Sequence, residues 1–152
     1  AKEPDESDFI TDAPTGGSYL FEVTSIEGEV IQDSDELNFI SLGIPQIDSA
    51  QYMDYDHSLH LRWETVANAE AYVVNLRKES GKVIYNSYTL NEEATEYKIM
   101  SESGDWAEVP NPGETYILQV NAFSFDSNAN NTNFIYNIEQ IAIGEKEIVW
   151  DE

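Results

Sequence analysis

Three separate segments of the chain place apolar side chains at every second position, and this alternation is the feature that most restricts the fold. A β-strand repeats its side chains with period two, so an alternating segment has one face to bury. The residues that alternate are Leu59, Leu61 and Trp63, then Tyr72, Val74 and Leu76, and then Tyr116, Leu118, Val120 and Ala122. Since no stretch offers a convincing amphipathic helix, the sequence predicts an all-β fold.

The alternating segments carry the motifs LHLRWETV, AEAYVVNL and PGETYILQVNAF, in that order. A Trp that closes one strand, a Tyr that opens the next and a Tyr preceded by a Pro-Gly turn resemble the fibronectin type III module, an immunoglobulin-like β-sandwich. The resemblance covers residues 43–144 and implies seven strands. The second, third and sixth would be residues 59–63, 71–78 and 114–124, and the others would include residues 82–88, 95–99 and 133–143.

The resemblance also implies roles for single residues. Trp63 would be the core tryptophan and Tyr72 would face it, while Tyr116 would be the tyrosine corner, whose hydroxyl bonds nearby backbone. The stretch 100–110 is longer than the tight connection that the family usually has there. The register around Trp106 therefore stays open, and this stretch could hold one helical turn at most.

A second alternating pattern precedes the sandwich pattern. Tyr19, Phe21 and Val23 alternate before the turn-like Glu27-Gly28-Glu29, which predicts a β-hairpin. The charged run at residues 33–36 is expected to break the strand, and residues 37–42 are predicted to form a third short strand. Because an isolated hairpin is marginal in water, we expect this region to dock on the sandwich. The predicted organisation is an acidic flexible linker, an N-terminal β extension and a fibronectin type III-like domain, at residues 1–17, 18–43 and 44–152.

The charge of the chain excludes several classes of partner. Thirty acidic residues stand against seven basic ones, for a formal net charge of −23. Such a surface repels phosphate backbones and anionic headgroups, so nucleic acid and acidic membranes are not expected partners. The acidity fits either a solvated, aggregation-resistant surface of an exported protein or the binding of a cation or a basic partner.

Cysteine is absent, which excludes disulfides and thiol chemistry and favours a bacterial or cytosolic origin over an animal export pathway. No apolar run approaches the ~20 residues that cross a bilayer, so no membrane insertion is expected. The polar, acidic opening resembles the segment that follows a signal peptide in bacterial surface lipoproteins, which implies a lipid anchor upstream. We therefore expect an extracytoplasmic location, at the bacterial cell envelope or secreted.

Residues able to carry catalysis or bind metal are few. The two histidines, His57 and His60, are three apart and would lie on opposite faces of a strand, with His57 in a loop. Carboxylates alternate at Asp54 and Asp56 and in residues 33–36, yet neither place has the spacing of a calcium loop, and ordinary turn chemistry explains both. We predict no catalytic residue, no metal site and no cofactor.

The candidate ligand residues lie in loops. The loop at residues 126–133 resembles the family's recognition loop, and its amides could bond sugar hydroxyls or simply favour turn conformations. Trp106, beside Gly104 and Asp105, could stack on a sugar ring or plug the open end of the sandwich. The predicted ligand-binding residues are Trp106, Asp126, Asn128, Asn130 and Asn131.

Three functions remain open. We predict a non-enzymatic binding or adhesion module of a bacterial cell-surface lipoprotein, whose partner would be a glycan or a surface protein. A structural spacer without a ligand of its own would share the same pattern but would need no exposed aromatic cluster. A hydrolase with paired carboxylates is the remote alternative, because thirty acids make such a pair easy to imagine and impossible to locate.

Overall fold

The computed structural model describes residues 16–37, 41–54, 57–100, 103–126 and 137–151. Within these ranges the chain contains strands and no helix, as the alternating pattern predicts. It divides into two compact units, residues 1–41 and 42–152. The strands are β1 (Gly17–Thr24), β2 (Val30–Leu37), β3 (Ile47–Met53), β4 (Ser58–Trp63), β5 (Ala71–Lys78), β6 (Val83–Asn86), β7 (Leu90–Asn91), β8 (Glu96–Ile99), β9 (Asp105–Trp106), β10 (Thr115–Phe125) and β11 (Ile138–Val149).

The first unit holds the predicted hairpin. Strands β1 and β2 pair antiparallel in a sheet of two strands, with Gly17 opposite Leu37 and Thr24 opposite Val30. The Ser25 hydroxyl accepts hydrogen bonds from the Glu27 and Glu29 amides, which closes the turn. Gly28 adopts a φ of 86° there, a conformation that costs glycine little.

The predicted break after the hairpin is wrong, since residues 33–36 lie inside β2. The main chain pairs as a strand because the turn of a hairpin sets the register, and polar residues can then continue the pairing away from the turn. Of the predicted third strand, residues 38–40 lie outside the described residues, and Ser41 and Leu42 are not in a strand.

The second unit is a β-sandwich of two antiparallel sheets. One sheet has the order β3-β4-β8, and the other has the order β11-β10-β5-β6-β9 with β7 on the side of β5. Seven of these strands have four residues or more in the described chain, and β7 and β9 have two each. This architecture is the predicted all-β sandwich.

The core lies between the two sheets and contains the predicted residues. Trp63 is 2% exposed, while Tyr72, Leu118 and Val120 are fully buried in the same cluster. The rings of Trp63 and Tyr72 are 5.7 Å apart, and the Tyr72 hydroxyl accepts a hydrogen bond from the Val66 amide at 2.7 Å. The predicted burial of these four residues together is confirmed.

The prediction for Tyr116 is also confirmed. Its side chain is buried, and its hydroxyl accepts a hydrogen bond from the Asn111 amide at 2.8 Å and donates one to the Glu114 carboxylate at 2.9 Å. Burial raises the pKa of Tyr116, and the bonds from Asn111 and Tyr116 lower the pKa of Glu114. The phenol thereby fastens the turn before β10 to the strand itself.

The strand bounds agree with the prediction in the middle of the sandwich and differ at its margins. β5 has the predicted bounds, whereas β11 continues to Val149, six residues past the predicted end. β3 was not predicted, and β9 stands where one helical turn was allowed. In β6 a register shift lets the consecutive residues Ile84 and Tyr85 both enter the core, which strict alternation would not allow.

Candidate functional site

Trp106 closes one end of the sandwich. It pairs with Tyr85 at the margin of the large sheet, and the two rings are 4.5 Å apart. The Trp150 ring is 6.1 Å away on another side, and the indole N–H donates to the Met100 carbonyl at 3.0 Å. The residue is half-buried against the core cluster, so much of its ring and its one donor already have partners.

The loop before Trp106 is held by a small polar cluster. The Tyr85 hydroxyl bonds the Tyr97 hydroxyl at 2.8 Å and the Ser103 hydroxyl at 3.1 Å, and burial raises the pKa of Tyr85. Gly104 has a φ of 70°, and a Cβ there would come within 2.3 Å of the Asn86 carbonyl oxygen. Because these contacts leave little freedom, the local chain fixes Trp106 in place as a plug.

The C-terminal tryptophan completes the same closure. Trp150 is 8% exposed and lies edge-on to the Tyr52 ring at 5.9 Å. Its carbonyl accepts from the Gly113 amide at 2.7 Å, and its amide donates to the Glu114 carbonyl at 2.9 Å. Four aromatic rings in contact, those of Tyr52, Trp150, Trp106 and Tyr85, therefore seal this end.

The other predicted ligand residues follow β10 in the sequence, and Asp126 is the one that the structure describes. The Asp126 amide donates to the Asn137 carbonyl at 2.7 Å, which joins the two ends of the loop. Glu70 accepts from the Phe125 amide at 2.6 Å and so holds the neighbouring turn against β10. Asn128, Asn130 and Asn131 lie outside the described residues.

The register separates Trp106 from Asp126. Trp106 pairs with Tyr85, Tyr85 with Leu76, and Leu76 with Leu118. Asp126 follows Leu118 by eight residues along β10 and its continuation, which is about 26 Å at the ~3.3 Å rise of a strand. Trp106 and Asp126, the two predicted ligand residues that the structure describes, therefore lie far apart on the sandwich.

The histidines and carboxylates form no metal cluster in the described chain. His57 lies in the turn before β4 with a φ of 49°, and His60 lies in β4 opposite Lys98. Within the ranges given above, no three His, Cys, Asp or Glu side chains are placed to hold an ion. No helix in those ranges is long and apolar enough to cross a membrane.

A shallow groove of about 320 Å³ lies on the small sheet, lined by His60, Leu61, Arg62, Glu96, Tyr97 and Lys98. Arg62 and Glu96 pair across it at 3.2 Å, with about seven-tenths of each side chain exposed. A pair that is so accessible to water contributes little. The groove holds no convergent polar set and does not define a site by itself.

The outer face of the large sheet carries an ordered polar row. Asn86, Asn75 and Asn121 lie on three adjacent strands, and their side chains form a hydrogen-bonded chain. The Asn121 amide also donates to the Val73 carbonyl at 3.1 Å. We call these three residues, with the neighbouring Gln119 and the ion pair Arg77–Glu145, the amide face.

The margin of the amide face is both charged and apolar. Glu145 accepts from Arg77 and from Gln119, each at 2.6 Å. On β11 the outward residues Ile141 and Ile143 are 53% and 46% exposed, while Ala142 between them and Gly144 after them are buried. Planar amide and guanidinium groups beside exposed methyl groups can contact both the hydroxyls and the C–H surface of a ligand.

The sequence prediction missed the amide face because it looked for ligand residues in loops. The sequence does show polar residues at alternate positions, which are Asn75 and Arg77 in β5 and Gln119 and Asn121 in β10. Such residues were treated only as the solvent side of each strand. Their alignment across three strands depends on register, which single segments do not give.

Comparison with protein-family models, with curated proteins and with solved structures finds no match to this chain.

Proposed function

We propose that the chain is a non-catalytic binding module of the bacterial cell surface, and that the amide face is its ligand surface, with a glycan as the ligand. The observation that carries the proposal is the row of three asparagine side chains across adjacent strands, flanked by Gln119 and the pair Arg77–Glu145. Polar side chains that are organised by a rigid sheet can meet several hydroxyls at once, at a low cost in side-chain entropy.

The hydrogen bonds within the row orient the amides and use both N–H donors of Asn121, which is only 7% exposed, so a ligand would meet the row mainly at Asn75 and Asn86. Each asparagine amide has two N–H donors and an acceptor oxygen. Asn75 donates to Asn86, and Asn121 donates to Asn75 and Val73. Asn86, which is exposed, acts in this row as an acceptor, and its own N–H donors are not used within the row. Asn86 and Glu145 lie three strand spacings apart, about 14 Å, so an oligosaccharide could meet Asn86 with one hydroxyl and Glu145 with another.

The strand order supports the resemblance of the second unit to an immunoglobulin-like module. Of the seven longer strands, the first, second and fifth form one sheet, and the third, sixth and seventh lie in the other. The fourth of these strands, β6, lies beside the third. A constant-type immunoglobulin sandwich divides the other six strands in the same way and places its fourth strand in the opposite sheet. The acidic composition supports an extracytoplasmic location, where such a module would belong to a lipid-anchored protein.

Binding of neutral oligosaccharides to the whole chain tests the proposal. A glycan array selects a ligand, and calorimetry then measures its affinity for Asn86→Ala and Gln119→Ala. Both variants should weaken binding about tenfold, since each removes groups that bond the ligand. The matched control is Gln51→Ala, an exposed amide on β3 of the other sheet, which should bind as the parent does.

The outcomes separate the competing functions. Loss of binding in Trp106→Phe with full binding in Asn86→Ala would move the site to the closed end of the sandwich. No binding to any glycan would leave the spacer function as the better description. Release of reducing sugar by the purified chain would overturn the non-catalytic part and favour a hydrolase with paired carboxylates.

A further inference from the structure

The hairpin of β1 and β2 presents a compact apolar surface with an acidic margin. Residues directly opposite in an antiparallel pair share a face, so the pairs Val23–Ile31 and Phe21–Asp33 place their side chains on the same side. Asp35 follows on that side, two residues after Asp33. We call Phe21, Val23, Ile31, Asp33 and Asp35 the hairpin face.

The apolar part of the hairpin face is exposed to an unusual degree. Phe21 is 56% exposed, Val23 65% and Ile31 67%. Soluble proteins bury most aromatic and β-branched side chains, and contiguous exposed apolar surface rimmed by polar groups marks interaction sites. A two-stranded sheet is also marginal in water without a covering layer. The hairpin therefore gains stability from any surface that covers this face.

The charge of the hairpin indicates which kind of surface can cover the hairpin face. Residues 16–37 contain six acidic residues and no lysine or arginine. The aspartates Asp33 and Asp35 each accept a hydrogen bond from the next backbone amide at 2.9 Å, which holds both carboxylates beside the apolar patch. A second copy of this chain would bring a further net charge of −23 to the contact, so self-association is opposed.

We propose that the hairpin face docks a basic, apolar segment of another protein, an extended strand that presents β-branched residues and then lysine or arginine on one and the same face. The β-branched side chains of such a strand would cover Phe21, Val23 and Ile31. Its basic side chains would lie near Asp33 and Asp35, whose charges also attract them before contact. This surface belongs to the first unit and is independent of the proposed glycan site.

Nuclear magnetic resonance of the full chain with a synthetic peptide tests this proposal. The probe is a ten-residue peptide with valine at positions 1, 3 and 5, lysine at positions 7 and 9 and serine elsewhere, so that valine and lysine share one strand face; the comparison peptide has serine in place of each valine. We expect amide shifts confined to residues 17–37, and binding of the valine peptide about tenfold tighter than that of the serine peptide. The affinity should fall several-fold from 0.05 to 0.5 M salt, because salt screens exposed charges over a few ångströms.

Two variants show whether the hairpin face itself is responsible. Phe21→Ser should weaken binding about tenfold, as loss of a central aromatic contact does. Asp33→Asn combined with Asp35→Asn should reduce the salt dependence while leaving the hairpin paired. The matched control is Val149→Ser, a comparably exposed apolar residue at the end of β11, which should leave peptide binding unchanged.

Several results would overturn the proposal. Equal affinity for the two peptides would show that charge alone attracts them, and shifts spread over the sandwich would show the same. Concentration-dependent shifts of residues 17–37 without peptide would make a second copy the occupant. Contacts between Phe21 and residues 42–152 in the free chain would show that the sandwich covers the face.

Discussion

The hairpin and the sandwich have the same alternating sequence pattern, but they bury its apolar side chains to different degrees. In both, apolar residues alternate with polar ones, and both form antiparallel pairs in regular register. In the sandwich the alternating side chains are buried, as Leu118 and Val120 are, whereas in the hairpin Phe21 and Ile31 are mostly exposed. Alternation thus specifies a strand and its two faces, and burial requires a second sheet as well.

The charges of the two regions differ as well. The described hairpin has acids alone, while the sandwich uses basic residues within its surface pairs. Lys78 and Lys82 both donate to Glu108, and Arg77 donates to Glu145. The hairpin lacks any such internal compensation, so we expect it to respond more to an external cation or basic partner than the sandwich does.

Removal of a core aromatic should produce the largest difference between the regions. Trp63→Ala should cost about 3–5 kcal/mol of unfolding free energy, since it empties a site in the middle of the core. Phe21→Ala in the hairpin should change the same quantity by less than ~0.5 kcal/mol. All three tryptophans lie in the sandwich, so urea denaturation followed by tryptophan fluorescence reports on that unit. If Trp63→Ala and Phe21→Ala lowered the unfolding free energy by similar amounts, the expected difference between the buried and the exposed aromatic residue would be wrong.

Backbone crowding should give the next largest effect. Gly104→Ala combines a left-handed conformation with a clash against Asn86 and Tyr85, and should cost about 2–4 kcal/mol. Gly81→Ala meets a similar φ of 89° in open space, and should cost about 1–2 kcal/mol. The hairpin glycine, Gly28, is open in the same way as Gly81. If Gly104→Ala and Gly81→Ala lowered the unfolding free energy equally in the same denaturation experiment, the backbone around Gly104 would have moved to accommodate the added Cβ.

Loss of one hydroxyl in the sandwich should have a smaller effect. Tyr116→Phe removes the acceptor of the Asn111 amide, and should destabilise by about 0.5–1.5 kcal/mol, or up to ~3 if that amide is left without a partner. Tyr88→Phe is the control, since Tyr88 is mostly exposed. If thermal melts give Tyr116→Phe and Tyr88→Phe the same Tm, the hydroxyl of Tyr116 does not stabilise the turn.

The sequence was sufficient for the core and insufficient for the margins, for physical reasons. The positions of Trp63, Tyr72 and Leu118 follow from period two, because a slip of one residue would expose the whole set. β3 escaped prediction because its residues, IDSAQYM, are half-buried and mostly polar or small, so no alternation stands out. The predicted end of β11 at residue 143 is too early. Glycine is typical of strand ends, but Gly144 lies inside β11, at a point where the Pro45 backbone approaches closely.

The candidate sites show the same limit. The plugging role of Trp106 was one of two interpretations that the sequence allowed, and its contacts with Tyr85 and Trp150 favour it over an open stacking surface. The amide face was not foreseen, because it depends on which outward residue of β5 meets which residue of β6 and β10. Side-chain neighbours across strands are a product of register and bulges, and both depend on the whole sheet.

The smallest expected effect concerns the pH dependence of one surface carboxylate. Hydrogen bonds from Lys78 and then Lys82 lower the pKa of Glu108 to about 2. A carboxylate with a lowered folded-state pKa stabilises the fold above its ordinary pKa and loses that contribution as pH falls towards the folded value. The difference in Tm between the parent and Glu108→Gln should thus be present at pH 7 and shrink between pH 4.5 and about 2. Lys82→Gln should remove only part of the difference, because Lys78 still donates. A difference in Tm that stays constant from pH 7 to pH 2 would show that the two lysines do not act on this carboxylate.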